Sequence, residues 1–509
     1  MSTSLPSVTT KTEPRSAPDG MGNGLFATSN IKVGEDVVHA RVPFVAVLDS
    51  PRLEDTCSGC FGKKQMGGET DLKACTGCRV VKYCDRACQS KDWKFAHSTE
   101  CPIFQKLKPM VLPNNARALL RMVLRTGRGK YSARELEIFN NLETHMGQIQ
   151  EIQAHLDRVN LTAKAVKEYS LSEMSHEDIA AYAARVSGPL SPKHSWLTGD
   201  FQLDLNSFNL TTALYDKIGL YLHPYASLIN HSCDYNATVG FDGEEIFVKA
   251  VKPIQKNEQI FISYIDTTTP NEVRRKELIE RYFFDCQCSK CAKGKDSPED
   301  RFSVPVEDTS ALEAAERQAL ELMQSASADD AKPDEAIAYL ESALNALHRV
   351  SNWPLHRQPY ASIRDQLIVS LLAGNKFNKA FIQAAVRYLR VDPELYSPAH
   401  PIRQIHAWIL AKLAIYISQG FEPSPKDPIQ LQDFEINFHY ILWYILADLA
   451  SKQLESCTVP SFKQLVGANF AQVHNEFKSH GIDPSTQKAV VSAEWKKLER
   501  LVQCALDTE

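Results

Sequence analysis

Twelve cysteine and histidine residues constrain this chain more than anything else in it. Eight fall in one short run, Cys57-x2-Cys60-x14-Cys75-x2-Cys78-x5-Cys84-x3-Cys88-x8-His97-x3-Cys101. The other four are Cys233, inside Asn230-His231-Ser232-Cys233, and Cys286, Cys288 and Cys291 in a C-x-C-x2-C cluster. Zinc takes four soft or borderline ligands in a tetrahedron, and a C-x2-C turn supplies two thiolates from one tight loop. Twelve such residues therefore fit three sites, two in the run and one from the remaining four. The run spans about 45 residues, too few to fold around apolar packing alone, so metal binding must supply much of its folding free energy. Of the 13 cysteines, only Cys457 and Cys504 are left over.

A chain of 509 residues holds two or three domains, and 43% hydrophobic with 23% charged residues is ordinary globular composition. The net charge of -5 gives no global sign of nucleic-acid binding, so any such contact must come from a local patch. The opening residues MSTSLPSVTTKTEPRSAPDG lack the apolar core of a signal peptide. The most apolar stretch, Ile441 to Ala450, is too short to span a bilayer and carries Asp448. No membrane association is expected. An intracellular protein keeps its thiols reduced, which favours metal ligation over disulfides. Nucleus and cytoplasm are both open on this evidence.

Three further motifs stand in order along the chain. Gly22-Asn23-Gly24-Leu25-Phe26-Ala27 has paired glycines that permit positive φ and close backbone approach to a ligand. Asn230-His231-Ser232-Cys233-Asp234-Tyr235-Asn236 is a polar cluster directly after apolar Ala226 to Ile229. Ile260-Phe261-Ile262-Ser263-Tyr264 reads as a strand ending in tyrosine, shortly before the Cys286 cluster. No paired carboxylates and no Ser/His/Asp triad appear. Singly, each motif has an ordinary structural explanation: a turn, a polar loop, a half-buried tyrosine.

The run of eight resembles a MYND finger, including Val81-Lys82-Tyr83-Cys84 and the Cys88-Gln89-x3-Trp93-x3-His97 tail. The resemblance implies interleaved pairs, with Cys57, Cys60, Cys84 and Cys88 on one ion and Cys75, Cys78, His97 and Cys101 on the other. MYND fingers bind proline-containing peptides and some contact DNA. Arg79, Lys82, Lys91 and Lys94 give this one a mildly basic face, whose ordinary meaning is a solvated surface. Together with the three ordered motifs, the chain resembles a SET and MYND domain-containing (SMYD) protein of fungal type, over residues 18 to 292 and more loosely beyond.

That resemblance implies a protein-lysine N-methyltransferase, acting on histone tails or other lysine-containing proteins as a chromatin regulator in nucleus and cytoplasm. Its cofactors would be S-adenosyl-L-methionine and three zinc ions. Carried over by position, Gly22, Asn23, Gly24, Asn206, Ser227, Asn230 and His231 would line the cofactor pocket, with Phe284 packed on the adenine. Tyr264 would be the catalytic tyrosine, also touching cofactor, and Tyr282 a wall of the lysine channel. Glu143, in Leu-Glu-Thr-His, aligns with a cofactor-contacting glutamate, although His145 stands where the family has asparagine.

Methyl transfer to lysine is an in-line displacement, so catalysis is mostly alignment. A free lysine, with pKa about 10.4, must first lose its proton, and an aromatic channel beside a sulfonium disfavours a second cation. Tyr264 would then orient and need not be a strong base. The third zinc would pin the segment carrying Tyr282 and Phe284 against Asn230-His231 as a closed structural site.

The expected fold is α+β. It comprises a SET β-clip with an inserted MYND finger and a helical insert, followed by an all-α tetratricopeptide-like domain. Expected segments are a disordered tail 1–17, SET N-terminal part 18–56, finger 57–101, helical insert 102–200, SET core 201–266, post-SET zinc segment 267–292, linker 293–308 and helical domain 309–509. Asp36 to Leu48 reads as a strand, and Ala237 to Phe241 with Glu245 to Val251 as a hairpin turning at Asp242-Gly243. Helices are expected at Ala116 to Arg125 and Ala133 to His155. In the last domain they are expected at Ser310–Ser325, Asp334–Arg349, Ala361–Ala373, Lys379–Val391, Ile402–Gln419 and Asp433–Gln453. The protein should be a monomer with a separable finger. The alternative function is a non-catalytic adaptor that binds proline-containing peptides through the finger and other partners through its helices.

Overall fold

The computed structural model describes residues 7–18, 20–68, 70–186, 206–297, 299–302, 309–328, 331–350, 353–420 and 429–509. Thirteen short strands are distributed over five small sheets among these residues. The strands are β1 Val8–Thr10, β2 Thr12–Ser16, β3 Asn23–Ala27, β4 Asp36–Ala40, β5 Val45–Leu48, β6 Lys73–Ala74, β7 Lys82–Tyr83, β8 Phe208–Thr211, β9 Lys217–Leu222, β10 Asn230–His231, β11 Ala237–Asp242, β12 Glu245–Ala250 and β13 Phe261–Ile262. The largest sheet runs β1-β4-β12-β11, with β5-β9-β8 as a second. Strands β11 and β12 form the expected hairpin, its turn made by Gly243 at φ 68° and Glu244, with Asp242 opposite Glu245.

One pairing is parallel. Asn230 lies opposite Phe261 and His231 opposite Ile262, so the polar motif threads beside the strand that leads to Tyr264. Asn236 fastens this crossing. Its Oδ1 accepts from the Phe261 amide at 2.9 Å, and its Nδ2 donates to the Gln259 carbonyl at 2.9 Å. A buried asparagine that satisfies two backbone groups and the Glu258 carboxylate at once holds the segments in one register.

The tail expectation is corrected. Val8–Thr10 pairs with β4 and Thr12–Ser16 with β3, and both Val8 and Thr12 are buried. The Val-Thr-Thr-x-Thr pattern is β-branched with a period of two, and its polarity disguised a strand signal. Asp36 to Leu48 is two strands in different sheets, broken around Pro43, which cannot donate to a ladder. Ala133 to His155 is likewise interrupted. Helices run Ala133–Asn140, Met146–Glu151 and Gln153–Ser170, with His145 at φ 49° ending the break. Residues 291–296, from the end of the zinc segment into the expected linker, form 3-10 turns, and 298 and 303–308 lie outside the described residues, as do 187–205 at the join of insert and core.

The C-terminal helices are Thr309–Ala326, Pro333–His348, Tyr360–Ala373, Phe377–Val386, Asp392–Leu395, Pro401–Ser418, Phe438–Ser451, Pro460–Ser479 and Lys488–Thr508. Most pack on the next in sequence, as a helical array does, while Lys488–Thr508 turns back onto Phe377–Val386 and Phe438–Ser451. The helix expected from Asp433 starts only at Phe438, where Asn437 caps the His439 amide. That expected from Lys379 starts at Phe377 and widens into a π turn at Arg387–Val391. Pro460–Ser479 and Lys488–Thr508 were not foreseen. The array docks on the SET hairpin: buried Asp242 accepts from the Ser461 amide and hydroxyl at 3.1 and 2.5 Å. Cys457 donates to the Ala250 carbonyl, and burial pushes its thiol up to about 11, so this spare cysteine is a packed, unreactive one.

Candidate active site and metal centres

The twelve ligand residues converge into three tetrads: Cys57, Cys60, Cys84 and Cys88; Cys75, Cys78, His97 and Cys101; and Cys233, Cys286, Cys288 and Cys291. Within each, the ligand atoms lie within 4.8 Å of one another. Four sulfurs about 2.3 Å from a common zinc stand roughly 3.8 Å apart. The Cys60–Cys84 and Cys75–Cys101 sulfurs are 3.8 and 3.9 Å apart, and Cys233–Cys291 3.5 Å. His97 turns Nε2 to Cys75 and Cys78 at 3.4 and 3.5 Å. Backbone amides already address the sulfurs, as Cys84 N–H does Cys57 at 3.3 Å and Cys291 N–H does Cys288 at 3.4 Å. A hydrogen bond with the Cys60 thiol draws Cys57 down to about 5, while burial and the Cys57 charge push Cys88 up to about 12. Such a donor set opposes itself until a cation neutralises it, and all three tetrads fit zinc.

The finger is not separable. Its helix Arg86–Asp92 is capped by Asp85, which accepts from the Cys88 amide, and a π turn at Trp93–His97 then swings His97 inward. Behind His97 lies a buried ionic cluster. Arg121, on the insert helix Asn114–Gly127, grips Glu100 through two nitrogens at 2.6 and 2.8 Å and donates to the Ala46 carbonyl of β5 at 2.8 Å. Tyr83 donates to Asp92 at 2.7 Å, and Asp92 stands 3.5 Å from Arg121. Finger, insert and SET strand thus share one guanidinium. Lys82 and Lys91 of the basic face are paired to Glu54 and Glu244.

Tyr264 sits just past β13 with every polar group occupied. Its hydroxyl donates to the Ile229 carbonyl at 2.6 Å, and its amide to His231 Nδ1 at 2.9 Å. Its carbonyl accepts from the Tyr282 hydroxyl at 3.2 Å, and the two rings lie 5.0 Å apart. Burial pushes the Tyr264 phenol well above its ordinary range, so at neutral pH it is a proton-bearing donor and no base. Tyr264 and Tyr282 line a cavity of about 160 Å³ that also touches Asn206, Ser227, Ile229 and Phe241.

On the far side of Ile229 the expected cofactor residues form a polar rim. Asn230 Nδ2 donates to the Asn23 carbonyl at 3.1 Å. Gly22 has φ +70°, and a Cβ on Gly24 would meet Gln259 Nε2 at 2.5 Å and Asn230 Nδ2 at 3.1 Å, so a larger residue there would have to displace the ends of both amide side chains. Ser227 donates to the Asn206 carbonyl at 2.7 Å, and Asn206 Nδ2 to the Glu143 carbonyl at 2.9 Å. That contact brings the Leu-Glu-Thr-His stretch to the rim. Glu143 is held below its usual range by the His145 amide, and the His145 ring lies 5.2 Å from Phe283. Phe284 stands with His231, 5.8 Å ring to ring. The rim is polar, and glycine at this turn lets the protein backbone come close to a ligand. Sequence reasoning missed the roles of Asn236, Arg121 and Gln259. Only Asn236 carried a signal, as one polar residue too many in the Asn230 cluster.

Comparison with known proteins agrees with this geometry. The SET domain family profile matches residues 22–265. SET domain and MYND-type zinc finger protein 6 of Schizosaccharomyces pombe is 32% identical over 53% of this chain and 50% of its own length. Histone-lysine N-methyltransferase SMYD3 of Mus musculus is 26% identical over 81% and 89%, and N-lysine methyltransferase SMYD2-A of Danio rerio is 31% identical over 57% and 63%. The chain thus spans about half the length of the first of these relatives and under two thirds of the third. With a SET-domain match over residues 22–265, a MYND-spaced pair of cysteine–histidine tetrads set inside it and a third tetrad behind the tyrosine, the chain carries a SET domain and is similar to SET and MYND domain-containing proteins.

Proposed function

We propose that this protein is an S-adenosyl-L-methionine-dependent protein-lysine N-methyltransferase acting on histone tails or other lysine-bearing proteins. One observation carries the reading. The tyrosine-walled cavity and the polar rim share Ser227 and Asn206, so an amine in the first would face a ligand held by the second. Asn23, Gly24, Asn206, Ser227, Asn230 and His231 would hold the cofactor, with Gly22 shaping the approach and Phe284 against its adenine. The cofactor supplies a methyl group on a sulfonium. Tyr264, protonated, orients the incoming amine through its hydroxyl, beside the Ile229 carbonyl that now accepts it. Tyr282 and Phe241 exclude water, which favours the neutral amine that attack requires.

A protein substrate is supported by a cleft of about 900 Å³ that Ser263 and Tyr264 share with the smaller cavity. Its walls include Asp266 and Glu277 on the SET side and Asp365, Arg387 and His406 from the helical domain. That cleft gives the helical domain, 309–509, a part in substrate choice. A proline-containing partner on the finger is supported by a groove of about 380 Å³ at the finger–SET seam, lined by Pro43, Phe61, Phe95 and Lys94. DNA contact has less support, since half of the basic face is paired. Twelve reduced ligands suit nucleus and cytoplasm, and no helix among the described residues is long and apolar enough to cross a membrane.

The test is a calorimetric titration of zinc-loaded protein with S-adenosyl-L-methionine, plus tritium transfer from the cofactor onto histones and cell extract. Micromolar binding and labelled lysine are expected. Well-folded protein with three zinc ions and no cofactor binding would sink the enzyme reading and leave the adaptor.

A further inference from the structure

The Tyr264 backbone is held at both ends by residues close in sequence to third-site ligands. Its carbonyl accepts from Tyr282, four residues before Cys286. Its amide donates to His231, two residues before Cys233. The amide contact also decides the histidine tautomer. A backbone N–H can only donate, so Nδ1 must be the acceptor and the ring proton must sit on Nε2. Nε2 points at Cys233 Sγ, 3.3 Å away. The ring is buried, 6% exposed, and wedged between Tyr264 at 5.3 Å and Phe284 at 5.8 Å.

We propose that the His231 side chain is a positioning residue that couples the third zinc centre to Tyr264. It donates to the Cys233 sulfur with one nitrogen and fixes the Tyr264 amide with the other. This goes beyond a place for His231 in the cofactor rim, although the kinetic part rests on the methyltransferase reading. A donor aimed at a ligating sulfur orients that ligand and damps its charge, as outer-shell partners do, and removing one commonly costs 10–100-fold in metal affinity. Because Nδ1 accepts only while Nε2 keeps its proton, an Nε2–H···Sγ bond and an Nδ1···H–N bond support one another. The sequence pattern His-x-Cys places both ring contacts on one short turn after β10.

The full-length holoprotein and three variants test this. His231→Asn retains an acceptor for the Tyr264 amide but cannot reach Cys233. His231→Gln reaches Cys233 with a donor and leaves the Tyr264 amide without its nitrogen. His231→Phe fills the space and makes neither contact. Two readouts need no turnover: the rate at which a chromogenic chelator strips the third zinc, and the thiolate charge-transfer band after cobalt(II) loading. Asn and Phe should both speed release of that one ion by about 10–100-fold and shift the band, while Gln should leave both near wild type. In the kinetic arm, Phe and Gln should lower kcat about tenfold or more with KM little changed, and Asn should lose less. Unchanged release and an unshifted band in both Asn and Phe would overturn the link to zinc, as would Gln releasing the ion as fast as Phe. Equal kcat losses in Asn and Gln would overturn the link to Tyr264. If the wild type transferred no methyl at all, the enzyme reading would fall, while the chelation and cobalt arms would still decide the metal half.

Discussion

The finger and the third tetrad use the same metal chemistry for opposite structural ends. The finger gathers eight ligands from one continuous stretch, Cys57 to Cys101, and closes only short loops. The third site joins Cys233 to Cys286, Cys288 and Cys291 across more than fifty residues, and the chain between carries β11, β12, β13 and Tyr264. A local cluster stabilises itself, whereas a long-range one sets where its flanking segments meet. Here those segments are the Asn230-His231 turn and the Tyr282–Phe284 wall. The finger instead reaches the SET core through side chains, the Arg121 bridge to the Ala46 carbonyl and the Lys91–Glu244 pair, and not through its metal.

The sharpest way to break that contrast is Cys233→Ser. It should leave two zinc ions per chain by elemental analysis and abolish detectable methyl transfer, a loss of at least 100-fold. Three ions per chain would refute the ligand assignment. Second, Tyr264→Phe should cut kcat by about 10²-fold, in the range for losing one aligned donor, with cofactor affinity unchanged by calorimetry. Unaltered turnover would remove Tyr264 from its role.

On the finger side, Arg121→Ala leaves Glu100 and Asp92 buried without their cation. Breaking a buried pair from one side costs about 3–5 kcal/mol, so denaturant midpoints should fall while the third zinc stays in place. A stability within about 0.5 kcal/mol of wild type would restore a separable finger. The smallest effect is on pH. Burial depresses His223 to about 4 and His400 to about 3, so both are neutral when folded and bind protons more readily when unfolded. Stability is then complete above about pH 6.5 and falls as pH drops below it through the folded values. His400→Asn, which removes one such group, should flatten the melting-temperature slope between pH 6 and 4.5, and an unchanged slope would count against it.

What could be read from the residues follows the same division. Tetrahedral ligand spacing is a covalent-range constraint, so the ligand residues were legible from their spacing, while the interleaved pairing of the finger came from its resemblance to a MYND finger. Asn23, Asn206, Ser227, Asn230 and Tyr264 gather in one region, and the hydrogen bonds that organise them come from tertiary placement. No local pattern announces that Asn236 will buckle a crossing of two strands, or that Arg121 will be shared by three segments. Strands β1 and β2 were lost in a Thr-rich, Pro-containing tail because polarity outweighed their period of two. Pro460–Ser479 and Lys488–Thr508 were missed because their apolar faces are diluted by lysine and glutamate. The helix from Ala133 was overextended because the left-handed break falls on His145 and not on Gly147, two residues later.

The central claim is that the third zinc, and not the finger pair, holds the reaction site together. Graded chelation of the three-zinc protein tests it most directly, with metal release, cofactor affinity and methyl transfer followed on the same samples and finger-site release separated by a Cys84→Ser control. The account predicts that methyl transfer falls in step with the third ion and that the Cys84→Ser protein, short of a finger zinc, retains most of its turnover. Turnover that survives loss of the third ion, or that follows the finger ions instead, would contradict it.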